Sequence, residues 1–380
     1  VRMRILHTSD WHLGRTLHKV SMAEAQEAAM WQIGQIAAQE NVDLIVVAGD
    51  VFDHAIPSAD ALDLLERTLA SLLDVAPVVV TAGNHDSLRR LGYGSSLFTA
   101  GLHMCTTVEQ IDRPVVVDGV RVYPIPYLHP DGARVDLRPE DPLPATHHAV
   151  LTEAMDRVRA DLAAHPRARS VVLAHAWVAG GGTSDSERDV SVGGLGVVSP
   201  AVFDGVDYVA LGHLHRPQDV RSGSGTRLRY CGSPLRYSFS EADDVKTVSI
   251  VDLDDTGVTV REVAVPQPRP MRVLRGLLAE LLDPELHTDA TQAWVSAVVT
   301  DDRRPSQMWP RMQERFPHLL ALRHEPTRII DLRERPVAAE QKPLEVAADF
   351  VEYVTNGPIE PGESDAFDAA VQILRGREQA

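Results

Sequence analysis

Arg4-Ile5-Leu6-His7-Thr8-Ser9-Asp10-Trp11-His12-Leu13-Gly14 passes from a short strand, Arg4–Thr8, straight into a carboxylate and an imidazole spaced D-x-H. Alternation along an extended segment places Asp10 and His12 on the same side, so one strand end delivers two metal-type donors together. The arrangement recurs down the chain. Strand-like runs at Leu44–Ala48, Val78–Ala82, Ser170–Ala174 and Tyr208–Leu211 lead into Gly49-Asp50, Gly83-Asn84-His85-Asp86, His175 and Gly212-His213-Leu214-His215. Strand ends are where an α/β sheet presents its loops to a ligand. Gly49, Gly83 and Gly212 are read as letting the backbone turn sharply on leaving each strand.

The intervening segments support an α/β fold. Ala23 to Glu40 reads as a helix with Ala29, Ile33 and Ile36 on one face, and Pro57-Ser58 opens a second through Leu62, Leu65 and Leu69. Val115–Val117 and Val120–Val122 flank Asp118-Gly119, a strong hairpin signal. Arg227–Tyr230, Thr247–Asp252 and Val258–Val263 follow with few helices between them, which predicts mixed sheets.

Pro266-Gln267-Pro268-Arg269-Pro270 is a stiff linker and the best domain boundary. Beyond it, strands near Met271–Leu274, Trp294–Val299 and Leu319–Arg323 alternate with helices near Leu277–Leu282 and Ser306–Arg315. Pro343 to Gly376 reads as two short helices separated by Asn356–Gly362, with Ser364 as an N-cap. Leu344, Ala347, Phe350, Val351 and Val354 share one face, as do Phe367, Ala370, Val371 and Leu374. The expected domains are residues 1–265, 271–335 and 341–380.

The 380 residues are 44% hydrophobic and 24% charged, the proportions of a soluble globular protein. No run approaches the length of a membrane span, and the N-terminus lacks a leader pattern, so a cytoplasmic location is expected. Cys105 and Cys231 are too few for a disulfide framework or a thiolate zinc site. Any metal must then be held by His, Asp, Glu or Asn. A net charge of −17 argues against a chain that grips nucleic acid alone. Acidic metal ligands, acidic surfaces away from the substrate, or a basic partner would each account for it.

The clusters supply two carboxylates, four imidazoles and one amide oxygen that could converge, with a fifth imidazole left over. That inventory suits two divalent cations bridged by one carboxylate. In their order the clusters resemble the five motifs of the calcineurin-like metallophosphoesterases, and within them the SbcD-type nuclease subunits of bacterial double-strand-break repair. His7 to Gly14, Gly49 to Asp53, Ala82 to Ser87, Ser184-Asp185-Ser186-Glu187-Arg188 and Tyr230-Cys231-Gly232-Ser233-Pro234 carry the likeness, which covers roughly residues 3 to 240.

The resemblance implies two mixed β-sheets flanked by helices, a small α/β cap domain for DNA recognition and a C-terminal helical tail. It implies Asp10, His12 and His215 on one metal, Asn84, His175 and His213 on the other, and Asp50 bridging. Manganese is the family's preferred ion, though iron or zinc suits the same donors. His85 would face the phosphate, with Asp86 orienting its ring. The implied activity is ATP-dependent double-strand exonuclease and single-strand or hairpin endonuclease action in DNA repair and recombination. The implied partners are DNA and an SbcC-like ATPase with a coiled coil, in a heterotetramer built on a homodimer.

Asp53 stands where archaeal and eukaryotic relatives carry a second active-site His. It is read either as a lineage difference, with His54 in reach of the site, or as a cap on the following helix. Gly180 to Gly196 is read either as a loop over the cleft or as a plain connection. Hydrolysis of small phosphodiesters or nucleotides is the rival activity, and the added domain and tail speak against it. All seven ligand positions are filled, which speaks against a metal-free scaffold.

Overall fold

The computed structural model describes residues 2–98, 101–187, 196–327, 342–355 and 358–378. It divides into two compact units, Val1–Arg269 and Pro270–Ala380. The first unit opens with β1 (Met3–Thr8), α1 (Ala23–Glu40), β2 (Leu44–Ala48), α2 (Ala59–Leu73), β3 (Val78–Thr81) and β4 (Leu102–Cys105). There follow β5 (Val115–Val117), β6 (Val120–Pro124), α3 (Pro130–Leu137), α4 (His147–Ala163), β7 (Arg169–His175) and β8 (Tyr208–Gly212). It closes with β9 (Gln218–Val220), β10 (Arg227–Tyr230), β11 (Thr247–Asp254) and β12 (Gly257–Ala264).

These strands form two six-stranded sheets, ordered β12-β11-β1-β2-β3-β4 and β9-β10-β8-β7-β6-β5. Strands β1 to β4 run parallel, as do β6, β7, β8 and β10. Antiparallel strands finish the edges: β11 and β12 on the first sheet, β5 and β9 on the second. This is the expected α/β class with two mixed sheets flanked by helices.

Side chains at period two turn one face of each sheet toward the other. Ile5, Val46 and Val79 meet Val122, Val171, Leu173 and Ala210 in one apolar cluster. The outer face of the second sheet, with Val172, Ala174, Val209 and Leu211, is covered by Val150, Ala154, Met155 and Val158 of α4. Helices α1 and α2 pack on each other, and each has a legible end. Asn41 closes α1 in the left-handed conformation, and Ser58 Oγ accepts from Ala61 N–H to open α2.

The second unit holds β13 (Met271–Gly276), β14 (Trp294–Val299), α5 (Met308–Arg315), β15 (Leu319–His324), α6 (Pro343–Thr355) and α7 (Pro361–Glu378). Its three strands are parallel, in the order β13-β14-β15, over a core that includes Leu274, Val295, Ala297, Met312 and Phe316. Helix α7 begins three residues before the expected cap, so Ser364 lies inside its first turn. Glu363 takes the N–H of Glu360 instead, at 2.9 Å. Arg303 ties the tail to this unit through Glu363 (2.6 Å) and the Pro358 carbonyl (3.3 Å). The expected boundary near Arg335 and the side chains of Val354 and Leu374 lie outside the described residues. No helix among the described residues is long and apolar enough to cross a membrane.

Candidate metal centre

The carboxyl ends of β1, β2, β3, β7 and β8 interlock through their loops. Asp10 N–H donates to the Gly49 carbonyl and His12 N–H to the Asp50 carbonyl, both at 3.0 Å. Asp10, His12, Asp50 and His213 have φ of 54°, 47°, 49° and 106°, a region that residues with a Cβ rarely occupy. Strain of this kind persists only where surrounding bonds hold it, and it concentrates at functional sites. Of the three glycines, Gly49 alone turns the chain through positive φ. Gly83 and Gly212 act by close approach instead: a Cβ there would sit 2.1 Å from Asp50 Oδ1 or 1.9 Å from the Ala48 carbonyl oxygen.

Asp10, His12, Asp50, His85, His175, His213 and His215 are all buried, and Asn84 is half-buried. Donor atoms of Asp10, His12 and His215 lie within 4.8 Å of one another, as do those of Asp10, Asp50 and His175. Asp50 Oδ2 is 3.6 Å from His12 Nε2 and 3.4 Å from His175 Nε2. Asn84 Oδ1 is 2.9 Å from His175 Nε2 and 3.1 Å from His213 Nδ1. The structure thus brings together every residue the sequence nominated as a metal donor.

In three of the imidazoles the inward-facing nitrogen is set by what Nδ1 contacts. Nδ1 of His175 donates to the Ala48 carbonyl at 3.0 Å, Nδ1 of His85 to the Asp53 carbonyl at 2.7 Å, and Nδ1 of His215 meets Ser186 Oγ at 2.5 Å. His12 Nε2 and His215 Nε2 then face each other at 3.1 Å. Two imidazole lone pairs at that distance repel unless a cation or proton lies between them. Among the described residues Asn84 Nδ2 is buried without a hydrogen-bond partner, and His12 Nδ1 has only Asp53 Oδ1 near it, at 3.4 Å.

Charge points the same way. Burial favours the neutral form of Asp50, but His175 and His12 outweigh it and hold the carboxyl well below its usual range. Burial would also strip His175 of its proton, yet Asp50 and Asp10 raise it to about 9. Burial, with repulsion from Asp50, pushes Asp10 up to about 7. Among protein groups alone, then, a cationic imidazole balances this nest of acceptors. The donor set fits divalent cations.

Comparison with known proteins supplies the family. The calcineurin-like phosphoesterase profile matches residues 3–217, more than half of the chain. The chain belongs to the calcineurin-like phosphoesterases. It is therefore a metal-dependent phosphodiesterase of a family that uses divalent ions. A second profile, the type 5 capsule protein repressor C-terminal domain (SbcD_C), matches residues 267–355, and the two together are those of an SbcD-type nuclease subunit.

Among solved structures, a Thermus thermophilus protein is 14% identical over 69% of this chain and 99% of its own, with a TM-score of 0.41. A Danio rerio dimetal phosphatase is 11% identical over 70% of this chain and 97% of its own, with a TM-score of 0.45. GAP50, the anchor in the inner membrane complex of Plasmodium, is 13% identical over 70% and 85%, with a TM-score of 0.40.

Several supports of this phosphoesterase site carry no sequence signal. Gln26 donates to the His12 carbonyl at 2.6 Å, and the Tyr237 hydroxyl donates to that of Trp11. Arg15 joins Asp53 (3.3 Å) to the Ser186 carbonyl (2.9 Å). Asp53 is a site residue and not a helix cap: its Oδ1 lies 3.4 Å from His12 Nδ1, and Ser58 caps α2. His54, largely exposed, meets Asp53 at 3.3 Å.

The expected role of Asp86 needs correcting. Its carboxylate accepts backbone N–H bonds from Val51 (3.1 Å), Phe52 (2.9 Å) and Gly83 (2.9 Å), so it staples two ligand loops together. The contact that orients the His85 ring is the Asp53 carbonyl. Of the Gly180 to Gly196 stretch, residues 188–195 lie outside the described residues, while Ser186 and Glu187 reach the site.

Proposed function

We propose that this chain is the Mn2+-dependent nuclease subunit of an SbcCD-like complex. It would cut duplex ends exonucleolytically, and single strands and hairpins endonucleolytically, in DNA repair and recombination, driven by an ATPase partner. One observation carries the reading: Asp50 Oδ2 sits between the two donor groups, 3.6 Å from His12 and 3.4 Å from His175. Asp10, His12 and His215 would hold one ion and Asn84, His175 and His213 the other, with Asp50 shared. Hard oxygen donors mixed with imidazole suit manganese.

When bound, such a pair of ions supplies a nucleophilic hydroxide from water and neutralises the phosphate oxygens. The protein's own part is positioning. The His85 backbone N–H holds Asp50 Oδ1 at 2.8 Å, leaving Oδ2 toward the donors. The His85 ring, fixed through Nδ1–H on the Asp53 carbonyl, presents Nε2 to the cluster, and as the doubly protonated imidazolium it would give its Nε2 proton to the leaving oxygen. Residues 1–265 would carry the chemistry, 271–335 the choice of DNA strand and 341–380 the partner.

The purified chain with Mn2+ is expected to cut hairpin DNA as well as a small chromogenic phosphodiester, with ATP-dependent stimulation once the partner is added. Hydrolysis of the small ester with intact DNA, alone and with partner, would assign the chain to small phosphodiesters.

The tail has its own test. Phe350 and Phe367 are exposed on α6 and α7, large apolar side chains that a docked partner would cover. Truncation after Glu340 is expected to spare hydrolysis of the small ester and to abolish co-purification with the ATPase. A truncated chain that still captures the partner refutes docking through the tail.

A further inference from the structure

Ser184-Asp185-Ser186-Glu187 and Tyr230-Cys231-Gly232-Ser233-Pro234 contribute no donor to the metal cluster, yet both close on His215. Glu187 Oε1 accepts the His215 backbone N–H at 2.8 Å. On the other side, the His215 carbonyl accepts from Ser233 N–H at 3.2 Å and from Lys246 Nζ at 2.8 Å. Lys246 continues to Ser233 Oγ (3.0 Å) and to Glu241 Oε2 (2.5 Å). The side chains of Glu241 and Lys246 are 0% exposed. A buried ion pair is costly to build and adds little to stability by itself, so its place beside one imidazole asks for another explanation.

The ring supplies it. Ser186 Oγ lies 2.5 Å from His215 Nδ1 and also bonds Glu241 Oε1. A carboxylate paired with Lys246 is an acceptor only, so the single hydroxyl hydrogen of Ser186 goes to Glu241. Ser186 can then only accept from His215, which fixes the ring hydrogen on Nδ1. Nε2 is left with its lone pair, aimed at His12 Nε2 3.1 Å away and grouped with Asp10. Glu241 itself stays 3.8 Å from Nδ1, so it acts through the serine.

We infer that Glu241, through Ser186, is the positioning group that fixes the tautomer and aim of His215, and that the Ser184–Glu187 segment is the latch on this ligand. The inference rests on the two-metal reading, in which His215 is a ligand.

The test is Mn2+ titrated calorimetrically into the metal-free full-length chain. Ser186→Ala leaves Glu241 Oε1 with Ser184 Oγ at 3.0 Å and Ser238 Oγ at 3.1 Å, so the carboxylate keeps its donors while the ring loses its anchor. One of two Mn2+ equivalents should weaken by about 10- to 100-fold, the cost typical of removing an outer partner of a ligating imidazole. The other equivalent should keep its affinity. Ser238→Ala takes a donor from the same carboxylate without touching His215, and should leave both equivalents unchanged. Wild-type affinities in Ser186→Ala overturn the inference, as do equal losses in the two variants or a Ser186→Ala chain without a melting transition. His215→Ala with both equivalents at wild-type affinity, or a wild-type chain that binds no Mn2+, would sink the two-metal reading itself.

Discussion

Asp50→Asn is expected to lower phosphodiester hydrolysis by on the order of a thousandfold, about 4 kcal/mol of transition-state stabilisation, and to lower Mn2+ stoichiometry below two. Asn keeps the shape and the acceptor for the His85 N–H, now at 2.8 Å, so the loop after β3 should stay in place. What it loses is the charge between His12 and His175. Two divalent ions repel four times as strongly as two unit charges at the same distance, and a shared carboxylate is what offsets that repulsion. Asp50 leads the groups that raise His175 to about 9, so in the metal-free variant the His175 titration should fall toward the ordinary imidazole range. Metal analysis beside an NMR titration reads both effects. An Asp50→Asn chain that holds two Mn2+ and stays active would dispose of the shared-carboxylate arrangement.

Much of the centre was legible because its signals are local. A β-branched strand followed by Gly-Asp or D-x-H announces both the strand and the donor, so the five clusters could be nominated without knowing how the sheets pack, and the likeness to the calcineurin-like phosphoesterases then implied which of their residues are ligands. Helix α1 was legible to the residue because its apolar face and its end at Asn41 agree. Helix α4 passed unread although Val150, Ala154 and Val158 recur at helical spacing, because its Arg- and Asp-rich opposite face breaks up the run. The supports of the ligands were legible only as stretches of likeness at Ser184 to Arg188 and Tyr230 to Pro234, with nothing in sequence to tie Ser186, Glu187 or Ser233 to His215. Glu241 and Lys246 look like surface charges in sequence, and only the chain's return beneath His215 buries them. Asp86 misled for the same reason: adjacency to His85 suggested a ring contact, whereas its side chain points back to three backbone amides.

His85→Ala is expected to abolish most hydrolysis, by roughly 100- to 10,000-fold, while Mn2+ stoichiometry stays at two. The geometry makes this a sharp test, because His85 does not stand apart from the donors. Its Nε2 is 3.9 Å from Asp50 Oδ2, its ring lies edge-on to His12 at 4.6 Å between centroids, and its donor atom groups with those of His12 and Asp50. Distance alone would admit it as a ligand. Its role in chemistry is separable by the leaving group. A proton donor matters most when the departing oxygen is a poor leaving group, as a sugar alkoxide is, and least when it is a nitrophenolate that leaves without help. The loss in His85→Ala should therefore be larger on DNA than on a nitrophenyl phosphodiester, whereas a lost metal ligand would depress both together and remove an equivalent of Mn2+. Metal content with the two substrates side by side decides the matter, and a variant short of one Mn2+ with equal losses on both substrates makes His85 a ligand.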